Sequence, residues 1–136
     1  MPPASWGCGW VRPPREAKEG TLASECLFCR IVAGDIPAAI VHQDDEIVAF
    51  RDINPQAPTH VLLIPRKHVR SLADLWTDDD ALIGRLVRVA AQIAESEGIA
   101  SQGYRLVANT GRQAGQSVDH VHFHLLGGRR LSWPPG

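Results

Sequence analysis

His120, His122 and His124 stand at every second position of "SVDHVHFHLLGG" (117–128), three of the six histidines in a chain of 136 residues. On a β-strand alternate side chains share a face. The spacing therefore predicts three imidazoles in a row on one side, with Val121, Phe123 and Leu125 on the apolar other side. A single histidine on a half-exposed strand is ordinarily structural, but three on one face compete for hydrogen bonds and desolvation. A zinc triad suits the spacing poorly. Residues i and i+4 of a strand lie about 13 Å apart, whereas zinc–nitrogen bonds are only about 2.0–2.1 Å. The third reading is catalysis with separate tasks along the row. A neutral imidazole is a nucleophile near pH 7 when an acceptor holds one nitrogen protonated and the other faces the substrate, and His122, in the middle, is best placed for it.

The preceding loop, "TGRQAGQS" (110–117), suggests the reactant. Small residues at Gly111, Gly115 and Ser117 let backbone N–H groups converge on an anion. No G-K-[ST] ends the loop and no helix follows, so it is not a P-loop. Alone it reads as a glycine-rich hairpin turn. Beside three histidines, the Ser117 hydroxyl and the Asn109 amide it reads as a phosphate cradle, with attack by His122 on phosphorus giving a phosphohistidine-type intermediate.

The elements that must position these groups follow from patterning. "IPAAIVHQ" (36–43), "EIVAFRDI" (46–53) and the more continuously apolar "THVLLIPR" (59–66) predict an antiparallel meander. Thr77 with Asp78, Asp79 and Asp80 marks a helix N-terminus. Leu82, Ile83, Leu86, Val87, Ala90, Ile93 and Ala94 then recur at helical spacing until Gly98 can end the helix. "YRLVAN" (104–109) and "VDHVHFHLL" (118–126) are two further strands. Strands, helix, strands predict an α+β fold with an antiparallel sheet. Residues 1–24 hold four of the ten prolines with Trp6 and Trp10 and show no periodicity, the composition of a flexible extension ahead of a domain over 25–136.

Composition narrows the function. Hydrophobic residues make up 44%, charged ones 21%, and the net charge is -1, so no basic field favours long nucleic acid or an anionic membrane. No run reaches the length of a membrane span and no signal peptide is visible, which makes the cytoplasm the expected location. Three cysteines do not suggest a disulfide scaffold. Cys26 and Cys29 form a C-x-x-C pair that in a reducing compartment reads as metal or redox chemistry, with Cys8 apart.

"HVHFHLL" resembles the signature of the histidine triad (HIT) family, and "DINPQAPTHVLLIP", "GQS" and the terminal "WPPG" resemble its Hint branch, the purine nucleoside phosphoramidases. The resemblance covers about residues 25–136. It implies a five-stranded antiparallel sheet with one long helix, extended across a homodimer that the helix, Gly84 and the Trp133-Pro134-Pro135-Gly136 tail help to form. It implies cleavage of the P–N bond of purine nucleoside 5′-phosphoramidates, releasing nucleoside monophosphate and amine without an organic cofactor. His122 would become nucleotidylated, His60 would orient the triad, His124 would contact phosphate, and Ser117 would lie near the leaving amine. Asn109 and the Gly115–Gln116–Ser117 turn would bind phosphate oxygens, and Asp52 the ribose hydroxyls. Phe28, Ile31, Phe50 and Ile53 would form a slot for the base, although plain core is the competing reading for them, and the nucleotide site would extend to Trp133. In some members a structural zinc is held by residues matching Cys26, Cys29, His68 and His120. Two thiolates and two imidazoles make a closed, structural set. Dinucleoside polyphosphate hydrolysis by other HIT branches is an alternative that the Trp-Pro-Pro-Gly terminus argues against. A purine-nucleotide-binding regulatory module with incidental activity is another, and it would keep the same pocket.

Overall fold

The computed structural model describes residues 25–136; the extension 1–24 and Cys8 lie outside the described residues. A short helix α1 (Leu27–Val32) is followed by strands β1 (Ile40–Gln43), β2 (Ile47–Arg51) and β3 (Thr59–Pro65), a long helix α2 (Asp80–Ser96), and strands β4 (Tyr104–Ala108) and β5 (Phe123–Gly127). They form one five-stranded sheet in the order β1-β2-β3-β5-β4, every neighbouring pair antiparallel. The meander holds for β1 to β3. Then β5, last in the chain, enters between β3 and β4, which makes β3 the central strand and explains its continuous apolarity, since all seven of its residues are buried.

The sheet is covered on both faces. On one, α2 buries Leu82, Leu86, Val89, Ala90, Ile93 and Ala94, a stripe at i, i+4, i+7, i+8, i+11 and i+12, against Ile47, Ala49, Val61, Leu63 and Leu125. On the other, Phe28 of α1 and Cys26 pack with Val48, Phe50, Leu62 and Ile64. Neighbours along β2 and β3 thus go to different layers.

The helix starts later than its sequence signal. Thr77–Asp79 is a turn of 3-10 helix, and α2 proper begins at Asp80. Asp79 does not wait in solvent over the helix end. It is buried, and its carboxylate accepts the backbone N–H of Trp76 (2.9 Å) and the ammonium of Lys67 (2.6 Å). Gly98, at φ +75°, closes the helix as expected. Arg51 pairs bidentately with Glu97 at that end (both 2.9 Å), and Arg85 reaches Asp44 in the β1–β2 turn (2.9 and 3.1 Å). Burial would raise the Asp44 carboxyl, but the N–H groups of Glu46 and Ile47, the His42 ring and Arg85 outweigh it and hold the pKa at about 2.

Candidate active site and metal cluster

The expected strand over 118–126 begins only at Phe123, so His120 and His122 lie ahead of the ladder and His124 within it. The register that pairs Leu63 with Phe123 would next bring Pro65 opposite Val121, and proline has no N–H to continue the ladder. The backbone instead bonds from Val121 N–H to Val69 C=O (2.7 Å). The row still gathers on the α1 face. Phe28 packs edge-on against both His120 and His122, and the His122 ring lies 5.1 Å from that of His124. Phe123 and Leu125 go to the α2 face.

Each ring has its own anchor. His122 Nδ1 lies 2.7 Å from the His120 carbonyl oxygen. A carbonyl only accepts, so Nδ1 carries the proton and Nε2 keeps its lone pair. His60, on β3, accepts the Gln56 N–H at Nδ1 (3.0 Å). Neutral His60 therefore holds its proton at Nε2, which lies 2.9 Å from His124 Nδ1. His124 Nδ1 is then an acceptor and its Nε2–H a donor. Burial first, then the neighbouring His122 and His60, push the His124 pKa down to about 4, so both partners are neutral at pH 7. Burial also lowers His60, against the opposing pull of Asp52, whose Oδ2 lies 3.4 Å from His60 Nε2. The result is an open nitrogen on His122 beside a fixed N–H donor on His124.

The other expected residues divide by exposure. Phe28 and Phe50 are buried, 5.6 Å apart between ring centres, and Ile31 packs beside them. Ile53 is fully exposed, at 101%, which excludes the core reading for it. Asp52 accepts the Asn54 N–H at Oδ1 (2.8 Å). In the loop, Gly115 turns in the left-handed region (φ +91°, ψ +25°). Its N–H and that of Gln116 are spent on the carbonyls of Arg112 (3.0 Å) and Gly111 (3.1 Å). Of the expected three-amide cradle this leaves Ser117. Its amide and hydroxyl, like the Asn109 side chain, make no hydrogen bond among the described residues. Trp133 is 82% exposed, in the tail that Arg105 ties down through Ser132 C=O (2.9 Å).

Cys26, Cys29, His68 and His120 converge, all four donor atoms within 4.8 Å of one another. Cys26 caps α1, accepting the Cys29 N–H at its sulfur. The separations are 3.4 Å from Cys26 Sγ to His120 Nδ1, 3.1 Å from Cys29 Sγ to His68 Nδ1, 3.6 Å from Cys29 Sγ to His120 Nδ1, and 3.1 Å between the two Nδ1 atoms. Zinc–sulfur and zinc–nitrogen bonds of about 2.3 and 2.0–2.1 Å in a tetrahedron put its ligands about 3.3–3.8 Å apart, so the four residues fit such an ion. His120 Nε2–H donates to Pro65 C=O (2.8 Å), which turns the lone pair of Nδ1 toward the cluster. Burial, then Cys26, push the Cys29 thiol up to about 12, a cost that a bound cation offsets. Asp52, His60 and His124 also converge. There the Gln56 N–H on Nδ1 keeps a proton on the very nitrogen of His60 that a metal would need. No donor cluster among the described residues joins all three histidines of the row.

Comparison with known proteins agrees with this architecture. The HIT domain family matches residues 33–131. Purine nucleoside phosphoramidase of Escherichia coli K12 is 52% identical over 110 residues, 81% of this chain and 92% of that protein. An uncharacterised HIT-like protein of Synechocystis is 50% identical over 85% of this chain and its own full length. The crystal structure of a HIT family hydrolase from Legionella pneumophila superposes with a TM-score of 0.81 at 51% identity, over 82% of this chain and 99% of that one. The chain belongs to the HIT family, and it is a hydrolase of that family.

Proposed function

We propose that the protein cleaves the P–N bond of purine nucleoside 5′-phosphoramidates through a nucleotidyl-histidine intermediate. The observation that carries this reading is the 2.7 Å bond from His122 Nδ1–H to the His120 carbonyl, which leaves Nε2 free to attack. His122 Nε2 bonds to the α-phosphorus while the P–N bond breaks, its electron pair going to the amine, which departs with a proton drawn from solvent through the Ser117 hydroxyl. His124 Nε2–H donates to a phosphate oxygen, and the proton chain from His60 keeps it a donor. Ser117, with its hydroxyl uncommitted, lies beside the leaving amine, and Asn109 supplies a further donor. Water then attacks phosphorus, gives nucleoside monophosphate and restores His122. Asp52 accepts from the ribose hydroxyls, and Phe28, Ile31, Phe50 and Ile53 flank the purine, with Ile53 contributing as an exposed flap rather than a buried wall. The name of the Escherichia coli relative supports the substrate class.

The same reading holds structural zinc at Cys26, Cys29, His68 and His120. Four protein donors leave no position for substrate, so the ion would supply folding energy and orientation. It also takes the protein as a cytoplasmic homodimer. The exposed Val87 and Tyr104 and the exposed Trp133 provide apolar surface for a partner copy, and a solution mass of twice the monomer is its test. No described helix is long and apolar enough to cross a membrane.

Steady-state assays of adenosine 5′-phosphoramidate, a diadenosine polyphosphate and adenosine monophosphate binding check the activity. We expect turnover of the phosphoramidate at a kcat/KM at least about a hundredfold above that for the polyphosphate. Preference for the polyphosphate would move the protein to another HIT activity, and monophosphate binding without turnover of either would make it a regulatory module.

A further inference from the structure

We infer that Gln116 is a positioning residue that sets the loop carrying Ser117 against His122 without touching the substrate, an inference that rests on the phosphoryl-transfer reading above. The sequence resemblance puts Gln116 in the phosphate cradle, but its carboxamide is turned into the protein. Oε1 accepts the Gly111 N–H (3.0 Å), and Nε2 donates to Arg70 C=O (2.7 Å) and Val118 C=O (3.0 Å). A carboxamide has two N–H donors, and both are spent. Offering one to a phosphate oxygen would strip a backbone carbonyl of its partner, and the remaining lone pair of Oε1 would repel an anion.

The place of these bonds gives them a purpose. Beyond Pro65 the sheet ladder fails, so residues 116–121 have no strand to hold them. Contacts to the segment after β3 take over: Gln116 Nε2–H to Arg70 C=O and Val121 N–H to Val69 C=O, beside the Arg70–Asp119 ion pair (3.8 Å) and the approach of His68 to His120. The bond to Gly111 closes the other side of the loop, joined by the Gln116 N–H to Gly111 C=O (3.1 Å). One side chain thus joins the loop's start, its end and the neighbouring segment, and Ser117 is the next residue along.

Gln116→Met keeps the size and removes all three side-chain bonds. Four readouts on the full chain decide the matter: kcat on adenosine 5′-phosphoramidate, affinity for adenosine, affinity for adenosine monophosphate, and amide hydrogen exchange at Gly111. We expect faster exchange at Gly111, adenosine affinity within about twofold of wild type, and both monophosphate affinity and kcat down by about tenfold to a hundredfold, the scale of a misplaced reacting group. Preserved adenosine binding shows that the variant is folded. Unchanged kcat and monophosphate affinity would overturn the inference. So would a loss of kcat with Gly111 exchange unchanged, which would mean that Gln116 acts by touching the ligand. If wild-type protein does not turn over the phosphoramidate, the proposed function falls, while exchange at Gly111 and monophosphate affinity still decide whether Gln116 holds the cradle.

Discussion

Each histidine of the row gives one ring nitrogen to a different partner, and that partner decides what the other nitrogen can do. His120 gives Nε2–H to Pro65 C=O and keeps Nδ1 for the cysteine cluster. His122 gives Nδ1–H to His120 C=O and keeps the lone pair on Nε2, the atom proposed to attack. His124 accepts at Nδ1 and is left a donor at Nε2. Alternate spacing in the sequence shows which residues gather, but not these tautomers, because each is set by a carbonyl or amide whose position depends on the fold. His60 is visible in sequence only through family resemblance, since a histidine opening an apolar run carries no pattern of its own. The half-buried His124 has a consequence for stability. Its folded pKa, about 4, lies below the ordinary 6.5, so the unfolded chain binds the proton more readily. Its contribution is complete above about pH 6.5 and is lost as pH falls through about 4, with a slope of at most about 1.4 kcal/mol per pH unit for one proton. Melting scans across this window should show that slope shrink in His124→Asn. An identical slope in both proteins would show that His124 is not the group titrating.

At the scale of elements, the periodic segments were readable and the irregular ones were not. The stripe from Leu82 to Ala94 and the apolar run of β3 place α2 and the central strand directly, because burial on a layer leaves a period or its absence in the sequence. β5 starts five residues later than the alternation predicts because Pro65, on another strand, ends its ladder. Helix α1 leaves no signal in the sequence, six residues being too few for periodicity and too few to be stable alone. Phe28 holds it to the sheet, and the cluster of Cys26, Cys29, His68 and His120 ties it to the segments after β3 and before β5. A metal held in that cluster, as proposed, would therefore serve stability. Elemental analysis should find about one zinc per chain. A chelator, or Cys26→Ser, should lower the melting temperature by on the order of 5 °C or more while the protein that stays folded keeps measurable phosphoramidase activity. Metal-free protein of unchanged stability would remove the zinc site, and activity that returns only with added zinc would place the metal in the reaction.

Taken as a whole, the molecule uses the two faces of one sheet for two tasks. The α2 face is the larger core, and the α1 face, with the end of β3 and the approach to β5, holds both histidine clusters. The fold class was legible because strands, helix and strands come in that order. The insertion of β5 between β3 and β4 was not, since nothing in either strand's residues names its neighbours. The sequence presents the loop as a candidate phosphate cradle but does not show which atoms are available, because Gly115 and Gln116 spend their amides within the turn and leave Ser117. The account stands or falls on His122 as the nucleophile. Rapid quenching of the enzyme with an adenosine 5′-phosphoramidate, followed by peptide mass mapping, should locate an adenylyl group on His122, and His122→Ala should form no adduct and turn over at least about a thousandfold more slowly while still binding adenosine monophosphate. An adduct on another residue, or near-native turnover by His122→Ala, would contradict it.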